Sequence, residues 1–243
     1  MPPWTRWWRA LGEVQPPLYA GEPTPRATDR RNAPIMSSVS GYAQPLREED
    51  VDRNPFRQFT CWFDQAASAG VRVPEAAAVA TATTDCVPSV RMVLVKQADE
   101  SGFVFYSNYE SRKGRELAAN PRGALLFYWD LLGRQVRIEG HIERTSDGES
   151  AAYVRSRERG SQLSALASPQ SRTIDSRDLL EQRVAELAAL HEGAQLPLPD
   201  AWGGFRLIPE VFEFWQQRDD RLHDRLRYTS QSDGRWQLER LAP

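Results

Sequence analysis

Residues 123–144 read GALLFYWDLLGRQVRIEGHIER, and the fold turns on this stretch. Ala124 to Trp129 is an apolar run of strand length, and Asp130 and Gly133 mark a turn after it. Beyond the turn Val136, Ile138, Gly140 and Ile142 alternate with Gln135, Arg137, Glu139 and His141. A period of two belongs to a strand with one buried face. The pair predicts neighbouring strands over 123–129 and 134–144.

Similar short runs lie on both sides. Strands are expected at about 77–84, 88–97 and 102–107 upstream, and at 205–216, 222–229 and 234–240 downstream. Helices fall between and before them. Asn54-Pro55 reads as an N-cap with proline at N1, followed by Phe56, Phe59, Trp62, Phe63 and Ala66 at helical spacing and Gly70 as the stop. Ser111 caps a helix ending at Asn120-Pro121, and Ser146 with Glu149 has capping-box spacing for a helix over 147–157. A longer helix over 176–192 carries Leu179, Leu180, Val184 and Leu187 on one stripe and stops at Gly193. Strands this short and closely connected predict a mainly β, α+β fold: an antiparallel barrel with peripheral helices, not a doubly wound sheet.

With 243 residues the chain has length for one substantial core, here placed over 41–243. Residues 1–40, rich in proline and arginine and without periodicity, are expected to be a disordered extension, with Met36 as an alternative start. A net charge of −2 gives no global positive field, so neither nucleic acid nor a membrane surface is expected as a partner. No apolar run approaches the ~18 residues of a membrane span. Cys61 and Cys86 make no CxxC and no metal pattern, and read as reduced thiols of a cytoplasmic protein. Of 31 basic residues only Lys96 and Lys113 are lysine, which marks them as places that need a compact ammonium, or as chance survivors.

The sequence has no GxGxxG, Walker, HExxH or GxSxG motif. Instead, arginine and lysine recur beside hydroxyl, amide and aromatic groups, a chemistry suited to phosphate esters near a flat ring. Arg91-Met92-Val93-Leu94-Val95-Lys96 is apolar between basic ends, and five strand steps of roughly 17 Å put those ends on opposite faces. They suit two anions, an anion and an ion pair, or solvent. Ser111-Arg112-Lys113-Gly114 places two cations at a helix N-terminus, which is unfavourable without a bound anion. Tyr153 and Arg157, one helical turn apart with Ser161 beyond, form a phosphate cradle or a solvated face. Arg221, His223 and Arg225 are expected on one face of a strand that either meets an anion or lies exposed.

Together these stretches resemble the pyridoxamine 5′-phosphate oxidase family. The resemblance runs in order through RMVLVK (91–96), FYSN (105–108), SRKGREL (111–117), RQVRIEG (134–140), YVRSRERGSQ (153–162), SPQS (168–171), WGGFR (202–206), EFWQ (213–216), RLHDR (221–225) and ERLAP (239–243). It implies an FMN-binding split β-barrel, and a homodimer whose active sites draw on both subunits. It also implies oxidation of pyridoxamine or pyridoxine 5′-phosphate to pyridoxal 5′-phosphate, with O2 as acceptor and H2O2 released. By resemblance FMN is held by Arg91, Met92, Val93, Leu94, Val95, Lys96, Tyr106, Ser107, Arg112, Lys113, Gln135, Gln170, Ser171, Trp215 and Arg225. The substrate is held by Lys96, Tyr153, Arg157 and Ser161, with Arg221 and His223 as the catalytic pair that orients its ring.

Departures fall on the substrate side. Gln217-Arg218 replaces a family glycine, and a left-handed backbone there would cost glutamine about 1 kcal/mol. Arg157-Glu158-Arg159 stands for Arg-Pro-Arg, Ser164-Ala165-Leu166 for Gly-Ala-Trp, and Val39, three residues before Tyr42, for an arginine. The alternatives are a relative that oxidises another ring compound, as in phenazine-like biosynthesis, and a non-catalytic flavin- or pyridoxal-phosphate-binding protein.

Overall fold

Every strand among the described residues runs antiparallel to its neighbours. The structure is a computed structural model and describes residues 45–243, within one compact unit, Gly41–Pro243. Val39, Tyr42 and the expected extension over 1–40 lie outside the described residues. In chain order the elements are α1 (Pro55–Ser68), β1 (Ala76–Ala82), β2 (Pro88–Asp99), β3 (Gly102–Asn108), α2 (Arg112–Ala119), β4 (Arg122–Trp129) and β5 (Arg134–Arg144). They continue with α3 (Asp147–Ser156), α4 (Arg159–Ala167), α5 (Arg177–Leu190), β6 (Trp202–Gln216), β7 (Asp224–Ser230) and β8 (Trp236–Leu241).

The strand order β3-β2-β1-β4-β5-β6 closes on itself through a β3–β6 pairing, which makes a six-stranded barrel. Strand β6 does double duty. Trp202–Leu207 pairs with β3, while Val211–Gln216 pairs with β7, and β5 lies along its other edge. The change of partner coincides with a bulge opposite Gly140, and Pro209, which has no N–H to donate, sits there. A side chain at position 140 would have its Cβ 1.9 Å from the Ile208 carbonyl oxygen, so only glycine fits.

Helix α1 covers the aromatic core. Asn54 accepts from the Phe56 N–H at 2.9 Å and Pro55 opens the helix. Phe59 then packs edge-on to Phe103 of β3 (4.9 Å) and Phe127 of β4 (5.0 Å), and Trp62 edge-on to Phe214 of β6 (5.2 Å). The indole N–H of buried Trp129 is satisfied by the Pro74 carbonyl at 3.0 Å.

Strand positions agree with expectation to within a few residues, and the caps Asn54, Ser111 and Ser146 are all present. Three expectations need correction. Helix α3 ends at Ser156 because Arg157 is extended (φ −78°, ψ 153°), and a second helix, α4, follows. Strand β7 starts at Asp224, later than expected, because a tight turn occupies Asp219–Arg221. The apolar stripe of α5 is not buried, and Leu179 remains 51% exposed. Cys61 and Cys86 are free and exposed, and no helix among the described residues is long and apolar enough to cross a membrane.

Phe59→Ala is expected to cost about 3–5 kcal/mol through the cavity it leaves among four rings. Exposed Arg57→Ala, two residues earlier in α1, stays within about 0.5 kcal/mol. Urea unfolding of both variants checks this, and equal losses would contradict the packing described.

Candidate active site

The turn after β3 and the start of α2 make a cationic cradle. Ser111 caps α2 by accepting the Gly114 N–H at 3.2 Å. Gly114 lets the helix press onto the preceding turn, since a Cβ there would lie 2.1 Å from the Tyr109 carbonyl oxygen. Lys113 is thereby turned inward. Its Nζ donates to Ser107 Oγ (2.7 Å) and to Gln170 Oε1 (3.2 Å), which the 168–172 turn brings in beside Ser171. The lysine is only 8% exposed, and among the described residues it has no carboxylate partner. Burial, reinforced by the nearby charge of Arg91, pushes its ammonium down to about 8.

Arg91 stands opposite Val79 and shares its inward face. Its guanidinium donates to Thr81 Oγ1 (2.6 Å) and Ser89 Oγ (2.5 Å) and lies 3.4 Å from Glu116. Arg112 reaches the same carboxylate at 2.8 Å from one helical turn earlier. Glu116 is buried. Burial works against its charge, but hydrogen bonds from Ser89, Thr81 and Arg112, with the charge of Arg91, outweigh it and bring the carboxyl down to about 2. Sequence reading missed this residue; its spacing from Arg112 was the available signal.

On the same strand Met92 and Leu94 point outward and stay exposed, while Val93 and Val95 face inward. A register shift between Val95 and Gln97 leaves Lys96 at a bulge, with Nζ 3.4 Å from Glu75. The two basic ends of the strand therefore have different partners.

Tyr106 and Ser107 are consecutive on β3 and point to opposite faces. Ser107 joins the cradle. Tyr106 stacks on Tyr153 of α3, with centroids 3.7 Å apart and planes at 9°, and Trp202 lies parallel to Tyr153 at 5.9 Å. Burial and then the charge of Glu149 push the Tyr106 phenol up to about 12, and burial raises that of Tyr153. Arg157 does not stand one helical turn above Tyr153, as the spacing suggested, because the helix has already ended. It folds over the Trp202 ring at 4.8 Å, and its Nη1 is buried without a hydrogen-bond partner. Ser161 lies not beyond a helix end but in the first turn of α4, whose N-cap residue Glu158 makes no side-chain cap.

A third group lies on β5, β6 and β7. Gln135, Trp215 and Arg225 are direct cross-strand neighbours and form a row on one face. Arg225 donates to the buried Glu213 at 2.8 Å, and His223 packs on the Trp215 ring at 4.6 Å. His223 Nδ1 accepts the Arg218 backbone N–H at 3.1 Å, which leaves the proton of the neutral ring on Nε2. Arg221 and His223 do not share a strand face with Arg225, because both precede β7. Nor does Gln217 bear backbone strain. It donates to the Gly133 carbonyl at 2.8 Å, and the left-handed residues are Asp220 (φ 55°) and Arg221 (φ 59°). Arginine in that region costs roughly 1 kcal/mol.

Comparison with known proteins gives this geometry its context. The family model "Pyridoxamine 5'-phosphate oxidase" matches residues 63–191, and the "Pyridoxine 5'-phosphate oxidase C-terminal dimerisation region" matches residues 202–243. A pyridoxine/pyridoxamine 5′-phosphate oxidase of Paraburkholderia phytofirmans is 56% identical over 195 residues, covering 80% of this chain and 91% of that one. The protein of the same name from Trichormus variabilis is 52% identical over 200 residues, covering 82% and 94%. Among solved structures, PhzG from Burkholderia lata in complex with tetrahydrophenazine-1-carboxylic acid matches with a TM-score of 0.78 at 35% identity, covering 84% of this chain and all of that one. An FMN-binding protein from Nostoc punctiforme, at 14% identity and a TM-score of 0.61, shares the fold. The chain belongs to the pyridoxamine 5′-phosphate oxidase family and has its split-barrel fold.

Proposed function

We propose that the protein is an FMN-dependent oxidase that turns pyridoxamine 5′-phosphate or pyridoxine 5′-phosphate into pyridoxal 5′-phosphate. For the amine, O2 and water are consumed and ammonia and H2O2 released. The observation that carries this reading is a pair of separate, under-compensated cationic groups. One is the buried Lys113 ammonium with neutral acceptors only, and the other is Arg157, with a buried unpartnered Nη1. Two phosphorylated molecules, a flavin nucleotide and a phosphorylated ring, match two such groups.

The residues of the cradle fit a flavin phosphate. Lys113, Arg91, Arg112, Ser107, Gln170 and Ser171 would hold it, and Gln135, Trp215 and Arg225 would meet other parts of the nucleotide. When bound, FMN would supply the acceptor for the hydride that leaves C4′ of the substrate and a route for the electrons to oxygen. The chain itself binds and orients. Lys96, Tyr153, Arg157 and Ser161 would anchor the substrate phosphate, with the Tyr153 phenol, raised by burial, acting there as a neutral hydrogen-bonding group, while Tyr106, stacked on it, would lie on the flavin side. Arg221 and His223 would orient the pyridine ring, with His223 presenting its Nε2 proton.

A homodimer in the cytoplasm belongs to the same reading. Gln135, Trp215, His223 and Arg225 share no hydrogen bond or ring contact with the cradle among the described residues, so a second copy bringing them together is consistent with the site. Exposed Val90, Met92, Leu94 and Tyr128 offer an apolar face for that copy. The likeness to PhzG supports a second reading, oxidation of a non-phosphorylated tricyclic acid. Peroxide release with each vitamer phosphate and with tetrahydrophenazine-1-carboxylic acid separates the two. The first reading expects turnover with the vitamers, and turnover with the tricyclic acid alone would replace it.

Arg157→Ala is expected to raise KM for the phosphorylated substrate roughly ten- to a hundredfold, the worth of a charged hydrogen bond. The purified protein stays yellow, and a colourless product would move Arg157 to the flavin side.

Titration of Lys113 gives a second expectation. The ammonium of the empty cradle is lost above about pH 8. A phosphate dianion favours the charged form, so binding above that pH takes up a proton. FMN affinity should fall roughly tenfold between about pH 7 and 9, one proton's worth. Calorimetry in buffers of different ionisation enthalpy detects the uptake. Lys113→Met abolishes both uptake and slope; a pH-independent affinity in the unaltered protein would contradict the assignment.

A further inference from the structure

The group proposed to take the substrate phosphate contains a carboxylate that no part of that role requires. Glu75 lies just before β1, and its main chain is pinned from both sides. The preceding Pro74 carbonyl accepts the Trp129 indole N–H at 3.0 Å, and the Glu75 carbonyl accepts the Val95 N–H at 3.0 Å. This fixes the side chain beside the bulge at Lys96, where Oε1 stands 3.4 Å from the lysine Nζ. The two side chains are 14% and 23% exposed, so water screens the pair only in part. The same negative charge reaches the Tyr153 phenol, on which Arg157 acts with the opposite sign. Glu75 is therefore an acidic member of a group whose other members, Lys96, Tyr153 and Arg157, suit an anion.

We infer that Glu75 is a resident counter-ion of the substrate-phosphate subsite, holding Lys96 in place while the subsite is empty and weakening the grip on any phosphate ester that enters. The inference rests on the reading of Lys96, Tyr153 and Arg157 as that subsite. Substrate and product carry the same phosphate, so the repulsion acts on both alike. Uniform weakening raises KM and leaves the chemical step untouched. It also speeds release of the product aldehyde, which would otherwise be held by every contact that captured the substrate. Glu75 thus sets affinity for the phosphate, not for the ring.

The test uses the FMN-loaded protein, with pyridoxal 5′-phosphate, inorganic phosphate and unphosphorylated pyridoxal as probes. In Glu75→Gln, pyridoxal 5′-phosphate and inorganic phosphate should bind roughly tenfold more tightly, as expected for removing one charge several ångströms from a dianion. KM for pyridoxamine 5′-phosphate falls in parallel, while pyridoxal affinity and flavin content do not change. Glu75→Asp, which keeps the charge, should stay within about threefold of the unaltered protein, since the electrostatic contribution survives. Glu75→Ser gives the same readout as the glutamine variant if that protein does not fold. Unchanged or weaker phosphate binding in the charge-removed variants, with normal binding by the unaltered protein, overturns the inference alone. Failure of the unaltered protein to bind either phosphate probe, with its flavin in place, overturns the subsite reading and the inference with it.

Discussion

The pairing of β6 with two different partners is the constraint on which the rest depends. Its first half closes the barrel against β3 and its second half carries β7, with the exchange made at the Gly140–Pro209 bulge. Because β6 starts at Trp202 beside Asn108, the Trp202 ring meets Tyr106 and Tyr153. Because it ends at Gln216 opposite Arg134, Trp215 falls between Gln135 and Arg225. One strand thus sets both the stack and the polar row. Slipping its register by one residue would turn each of these side chains to the other face.

Around this frame the charges are distributed unevenly. Many arginines among the described residues are matched by carboxylates, as in Arg240 with Glu48 and Asp224 or Arg122 with Glu210. The cradle differs. Arg91 and Arg112 share one buried carboxylate, Glu116, and Lys113 has hydroxyl and amide partners only. Leaving a buried ammonium so poorly compensated costs stability, and an anion at the N-terminus of α2 would offset that cost. This is the feature on which the proposed phosphate site rests.

Much of this was legible in the sequence because the signals are local. Alternation over 134–144 gave β5, and Asn54, Ser111 and Ser146 marked helix starts by side chains that cap their own backbone. What was not legible depends on distant partners or on breaks without a breaker residue. The helix ends at Arg157 with neither glycine nor proline to announce it, so α4 and the true setting of Ser161 were missed. Left-handed Asp220 and Arg221 likewise carry no glycine signal, and the turn they form delays β7. Glu75 escaped notice because its cationic partner Lys96 is 21 residues away, and at Glu116 the local spacing from Arg112 gave no hint of Arg91, 25 residues away. The family resemblance pointed to the cations, but only the fold placed carboxylates beside them.

In the proposed function the second cationic group accepts a vitamin B6 phosphate ester whose electrons pass to flavin. Anaerobic titration of the purified holoprotein with pyridoxamine 5′-phosphate tests it most directly. The visible flavin absorption should bleach in proportion to added substrate and return on admitting air. Flavin that stays oxidised with both vitamer phosphates, yet bleaches with a chemical reductant, would contradict the account.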